Sequence, residues 1–192
     1  MKSWYLLAAV AACIPGVAAA QDSDTRASQF DGVRAEARIG YETPTVSDSG
    51  NVYKIGSAVS GGGEIGFDLK AGKSVVVGPY AVYEFSSVKL CDGADCLKEN
   101  GNLGVGGRIG VAVSDKALIY AKAGYARIGF SANTAFGSGS TTKDGVQGAI
   151  GVDYNFGKRV YGLLEFNYAD YGKFFGVNLQ RRHVAAGVGV RF

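Results

Sequence analysis

Eight segments of this chain alternate between two side-chain rows, which constrains it to a repetitive β structure. The last segment, residues 182–192, shows this most plainly. Arg182, Val184, Ala186, Val188, Val190 and Phe192 form one row, and His183, Ala185, Gly187, Gly189 and Arg191 form the other. A strand has a side-chain period of two, so the segment has one apolar face and one small or charged face. A six-residue pattern (x, Ile/Val, Gly, Phe/Val, x, large apolar) recurs at 64–69, 108–113, 149–154 and 187–192. Copies about 40 residues apart mark a repeated supersecondary unit, here two strands, a loop and a turn.

The other alternating segments are 33–41, 63–69, 75–85, 103–113, 118–130, 146–156 and 160–168. In 118–130, Lys122 and Arg127 fall on opposite rows. Either a bulge shifts the register there or Arg127 already lies beyond the apolar band. The connectors alternate in length: 70–73, 114–116 and 157–159 are tight, whereas 42–60, 86–102, 131–145 and 169–181 are long and polar. This pattern predicts an all-β fold, an eight-stranded antiparallel up-and-down transmembrane β-barrel.

The second row decides which face points where. It carries Arg34, Glu36, Arg38, Glu64, Asp68, Glu84, Arg108, Lys122, Asp153, Glu165, His183 and Arg191 among many glycines. The bulk of Phe67, Tyr83, Phe85, Phe166, Tyr168 and Phe192 sits on the apolar row. A soluble, ligand-carrying barrel would bury that bulk and expose the charges. The mixed-charge row instead suits the interior of an eight-stranded barrel, which side chains just fill. About ten residues at 3.3 Å, tilted about 40°, rise about 25 Å, the height of an outer-membrane apolar band. Gly66, Gly110, Gly151 and Gly189 occupy one place in the repeat. They leave room in the lumen for paired charges or only relieve crowding between strands; both readings stand. Ion pairs there must satisfy one another, because an unpaired buried charge is costly.

Composition agrees. Thirty glycines with only three prolines and 47% hydrophobic residues suit packed strands, not a disordered tract. The weak, dispersed net charge of +3 points to no nucleic acid. Residues 1–20 read as a cleaved export signal: Lys2, an apolar stretch, the Pro15–Gly16 break and the small residues Ala18–Ala20. A lipoprotein-type box ending at Cys13 is the less favoured alternative. Residues 21–32 read as a polar periplasmic lead and 33–192 as the barrel domain. The two cysteines left after export, Cys91 and Cys96, are expected to form a disulfide that pins a loop tip. Their spacing matches no usual metal pattern, and neither metal nor cofactor is expected.

The signal, the copies EIGFDL, RIGVAV and AIGVDY, the segments GPYAVYEFSS and IYAKAGY, and the ending RRHVAAGVGVRF together resemble a known family. It is that of small bacterial outer-membrane β-barrels of the OmpA/OmpX and opacity-protein type. The resemblance spans residues 33–192. It implies a Gram-negative outer-membrane location, periplasmic termini and long loops at the cell surface. It also implies that Val188, Val190 and Phe192 form the signal read by the barrel-assembly machinery.

For function, the expectation is a structural or surface-interaction role, adhesin- or opacity-like, for a monomer whose lumen is filled. Outer-membrane lipid, lipopolysaccharide and a host or surface ligand on the long loops are the expected partners. Lys173, Arg181 and Arg182 are placed at the outer rim, where lipopolysaccharide phosphates could meet them. A narrow porin-like channel is the alternative. A lipid-modifying barrel enzyme is less favoured: the lone His183 has no serine two residues away, and its row points inward. His183 is expected to be a hydrogen-bonding residue at the rim of the lumen.

Overall fold

The computed structural model describes residues 25–48, 51–54, 56–92, 95–134, 137–174 and 177–192. The export signal and Cys13 lie outside them. A 3-10 turn, Arg26–Gln29, precedes ten strands: β1 (Gly32–Asp48), β2 (Asn51–Lys54), β3 (Ala58–Lys70), β4 (Val75–Ser86), β5 (Lys89–Asp92), β6 (Asp95–Ala112), β7 (Ala117–Thr134), β8 (Gly137–Asn155), β9 (Val160–Phe174) and β10 (Val177–Arg191). Strands β1, β3, β4, β6, β7, β8, β9 and β10 pair antiparallel in that order, and β10 returns to pair with β1. The sheet therefore closes as an eight-stranded antiparallel barrel. The closing ladder runs from Arg34 opposite Arg191 to Ser47 opposite Asn178. The short strands β2 and β5 fold back as hairpins on β1 and β6.

Alternation assigns the faces. Ile39, Ile65, Phe85, Ile150, Val188 and Phe192 are more than half exposed on the outer wall, while Arg34, Glu64, Asp68 and Asp153 are 2% exposed or less inside it. That inverts a water-soluble arrangement and matches a wall solvated by lipid. Tyr154 and Phe156 flank the apolar belt near the turns, with ring centroids 5.8 Å apart. Tyr83 and Phe85 do so near the loops, at 4.8 Å. Beyond the upper girdle the outer row becomes polar and exposed: Arg127 follows Tyr125, Arg182 follows Val184, and Asn100 and Lys98 lie beyond Leu103.

The ladder continues well past that belt. The β7–β8 pairing runs without a register shift from Ala117 opposite Tyr154 to Thr134 opposite Gly137. No bulge therefore explains Arg127. It sits on the outer wall above the belt, where its Nε lies 2.6 Å from Asp144. The expected long loops are corrected accordingly: most of 42–48, 95–102, 131–145 and 169–181 is strand. In 137–142 both faces are exposed and mostly polar, and in 169–181 the apolar side chains Ala169, Tyr171 and Leu179 lie on the inner row, so the apolar outer row is lost although backbone pairing persists.

Inside, three layers stack along the axis. At the turn end, Ala27 and Phe30 pack on Val76, Ala112 and Leu118, all nearly or fully buried. Residues 25–31 are thus a cap inserted in the barrel mouth, not a free polar lead. The Ala27 amide donates to Lys73 O at 3.1 Å, and the Arg191 guanidinium carbon lies 5.4 Å from the centre of the Phe30 ring. The middle layer is charged. At the loop end, Ala126, Ile128, Phe130, Ala169, Tyr171 and Leu179 form a second apolar layer, with Val46 against it.

Candidate functional site

The period of two sends every second residue of each stave inward, and the antiparallel registers bring acids and bases from different staves to one level. The twelve interior residues named from the sequence are all buried. Arg34 Nη1 donates to Glu36 at 2.6 Å and Glu64 at 2.7 Å, and its Nε lies 3.3 Å from Asp68. Arg38 reaches Glu64 at 2.5 Å, pairs with Glu165, and lies 3.8 Å from Glu84. Lys122 bridges Glu64 at 2.6 Å and Glu165 at 2.5 Å. Toward the turn end, Arg108 lies 2.6 Å from Asp153 and 3.4 Å from Asp68. Arg191 meets the same two acids at 3.3 and 3.8 Å. These contacts join into one continuous network. Its desolvation cost is offset only because each member has more than one partner.

Aromatic side chains wall the network. Tyr120 and Tyr161 hydroxyls donate to Glu165 and Glu36, each at 2.8 Å. The Arg108 guanidinium carbon sits 3.9 Å above the Tyr120 ring, and that of Arg191 sits 4.5 Å above Tyr161. Such stacking is favourable in a desolvated interior. The repeated glycines are what admit these side chains. A Cβ on Gly151 would lie 2.4 Å from Tyr120, on Gly189 2.3 Å from Tyr161, and on Gly66 2.5 Å from the Arg34 guanidinium. Gly110 makes room for Leu118, at 2.9 Å. Each repeat glycine thus receives a large side chain from an adjacent strand, the preceding one for Gly66, Gly151 and Gly189 and the following one for Gly110.

Several interior residues escaped the sequence reading. Glu42 and Arg181 pair at 2.5 Å, and Arg181 also meets Glu84 at 3.0 Å. Arg181 is therefore corrected from an exposed rim residue to a buried one, because it shares the parity of His183. Lys173 and Arg182 are exposed. Extending the row of Arg38 by four residues would have found Glu42. Tyr80, Tyr120 and Tyr161 share parity with Glu84, Lys122 and Glu165.

His183 is fully interior. Its Nε2 lies 2.8 Å from Ser60 Oγ, and its Nδ1 lies 3.5 Å from Glu84. A Ser–His–Glu string resembles a nucleophile with its base. Here, however, it lies under the loop-end apolar layer, Glu84 is engaged by Arg181, and Gly40 backs onto the imidazole at 2.0 Å from its missing Cβ. The geometry ties β10 to β3 through the Ser60 hydrogen bond and leaves the imidazole packed beside Glu84 of β4.

On the outside, Cys91 and Cys96 are joined by a disulfide across the β5–β6 hairpin. Phe192 projects from the end of β10 and is exposed, as are Val188 and Val190. The β7–β8 ribbon carries Gly137–Thr142, exposed on both faces. Exposed at its base, Asp144 is held below the usual carboxylate range, first by the hydrogen bond from Arg127.

Comparison with known proteins gives the same architecture. No curated protein matches the sequence. Ail, the attachment invasion locus protein of Yersinia pestis, was solved in complex with the heparin analogue sucrose octasulfate. It superposes with a TM-score of 0.59 at 16% identity, covering 84% of this chain and 99% of that one. Neisserial surface protein A superposes with a TM-score of 0.60 at 16% identity, covering 82% and 97%. At such identities the likeness is one of fold. The profile described as outer membrane protein beta-barrel domain matches residues 6–192. With a lipid-facing wall, a closed eight-stranded sheet and a match over nearly its whole length, the chain belongs to the outer membrane protein beta-barrel domain family.

Proposed function

We propose that this outer-membrane barrel acts through its surface, presenting a rigid strand extension to an external partner, and neither conducts solutes nor performs catalysis. The carrying observation is the contrast between the two ends of the strands. The interior is occupied by a cap, an ion-paired layer and an apolar layer. The β7–β8 ribbon, in contrast, runs on beyond the belt, held by β6 along its β7 side up to Asn133 opposite Cys96 and open along its β8 edge. Among the described residues, no strand pairs with β8 on its β9 side between Ser138 and Thr142; that ladder begins only at Val146 opposite Asp170. A strand edge offers main-chain donors and acceptors to an extended partner segment. That solved relatives of the same fold include an attachment protein and a surface protein supports the reading. Exposed Lys173 and Arg182 suit lipopolysaccharide phosphates as a second contact.

The test is to replace residues 131–141 by a short turn. The barrel should keep its heat-dependent gel mobility, because the network and both apolar layers lie outside that segment. Attachment of expressing cells to host matrix should fall to the level of cells lacking the protein. Undiminished attachment would remove the ribbon from the function.

We also assign assembly recognition to Val188, Val190 and Phe192, whose side chains line one outward row at the chain end. A chain ending at Arg191 should reach the outer membrane in several-fold lower amount yet still fold into detergent. Equal amounts in the membrane would refute the assignment.

A further inference from the structure

The one break in the β6–β7 register falls between Glu99 and Gly101. Below it, the even-numbered residues of β6 face inward; above it, Glu99 does, at 1% exposure. Gly101 makes the bulge, with φ of +151° and a missing Cβ that would lie 2.6 Å from Glu84 O. Bulges re-aim side chains, and this one turns a carboxyl into a place already rich in them. Glu99 lies beyond the lipid-facing belt, since its neighbours Lys98 and Asn100 are exposed on the outer wall.

The groups around it are too acidic for their cations. From β1 comes Glu42, from β4 Glu84 and the Ser86 hydroxyl, from β10 Arg181 and, beyond Glu84, His183, and from β9 the Tyr171 hydroxyl. Arg181 engages Glu42 through Nε at 2.5 Å and Glu84 through Nη2 at 3.0 Å. The Ser86 hydroxyl donates to Glu42. With the nearby Ser86 hydroxyl turned to Glu42, neither oxygen of Glu99 is in a well-formed hydrogen bond, and Arg181 Nη1 also lacks one. A buried ionised carboxylate in that position is expensive, whereas a protonated one is not.

We propose that Glu99 is a proton-binding site that couples closure of the loop end to external pH: protonated it is retained in the closed barrel, and ionised it favours opening of that end to water. Burial, then the Glu42 carboxylate, push the Glu99 carboxyl up to about 8, while Arg181 and the Ser86 hydroxyl pull the other way. Once opened to water it returns to an ordinary value of about 4.3. The closed state therefore binds the extra proton between those limits. Its advantage is complete below about 4.3, declines as pH rises, and is gone above about 8. Protonation of His183 would act in the opposite sense, adding a charge to the closed interior as pH falls.

Hydrogen exchange on the full-length protein in lipid nanodiscs tests this. The amides of 97–101, 127–130 and 169–172 would be followed, with rates corrected for intrinsic exchange. In the native chain the opening equilibrium should rise by up to about tenfold per pH unit and level off near pH 8. Glu99→Gln keeps the shape and removes the titration; it should show no pH dependence and at pH 9 be at least as protected as the native chain is at pH 5.5. Glu42→Gln removes the repelling carboxylate and should move the levelling point to lower pH. A flat native profile would overturn the proposal, leaving Glu99 ionised and bridged to Arg181 Nη1. So would a slope that survives in Glu99→Gln.

Discussion

A Glu64→Ala barrel should unfold at a much lower urea concentration than the native one, with a loss of roughly 3–5 kcal/mol. Glu64 is where three cations converge: Arg34 at 2.7 Å, Arg38 at 2.5 Å and Lys122 at 2.6 Å. Removing it leaves positive charge concentrated in an interior that water does not reach. Glu165 still engages Arg38 and Lys122, and Glu36 still engages Arg34, which keeps the loss finite. Glu64→Gln preserves the shape but not the charge, and should lose nearly as much. Asp144→Ala, which breaks an exposed pair, should leave the midpoint where it is. The readout is the fraction of heat-modifiable, folded protein across a urea series in detergent. Equal midpoints for the Glu64 and Asp144 variants would refute an interior held by paired charge.

Phe30→Ala should cost roughly 3–5 kcal/mol by the same assay, the range for emptying a buried aromatic site. Phe30 is fully buried against Val76 and Leu118 and lies beneath the Arg191 guanidinium. The substitution unseats the cap without touching the layer of Arg34, Asp68, Arg108 and Asp153. Planar bilayers containing the variant should therefore stay silent, as should those containing the native chain. Stepwise conductance in the variant alone would make the cap the gate of a narrow channel. Unchanged stability would show that residues 25–31 do not seat in the mouth.

How much of this was legible follows from what parity can and cannot carry. The face of Arg34, Glu64 or Asp153 depends only on counting by two from an apolar neighbour, so the contents of the lumen could be read directly. Which acid meets which base depends on the stagger of the closed sheet. Arg38 finds Glu165 across 127 residues, and no local pattern encodes that. Counting by two also fails where the strand slips: Glu99 lies on the outward parity of β6 until Gly101 turns it in. The cap was hidden for another reason. Phe30 is a lone large apolar residue in a polar stretch, and one residue has no period. The strand extensions were read as loops because their outer and inner rows are both polar near the tips, as in 137–144. Hydrophobic alternation reports a boundary between two solvents, and beyond the membrane there is only one.

The span of these pairings sets an order of events. Arg181 completes its contacts with Glu42, 139 residues earlier, and Arg38 waits for Glu165. A nascent chain that has made β1 to β4 already holds Glu36, Glu42, Glu64, Asp68 and Glu84 on one face against only Arg34 and Arg38, and the cations that offset the remaining acids, Arg108, Lys122, Arg181 and Arg191, are not yet synthesised. Contacts so far apart in sequence form slowly, and a half-built sheet would have to carry bare charge into lipid. Insertion is therefore expected to be a single late event that follows completion of β10, and the unfinished chain must be kept in water by something other than itself.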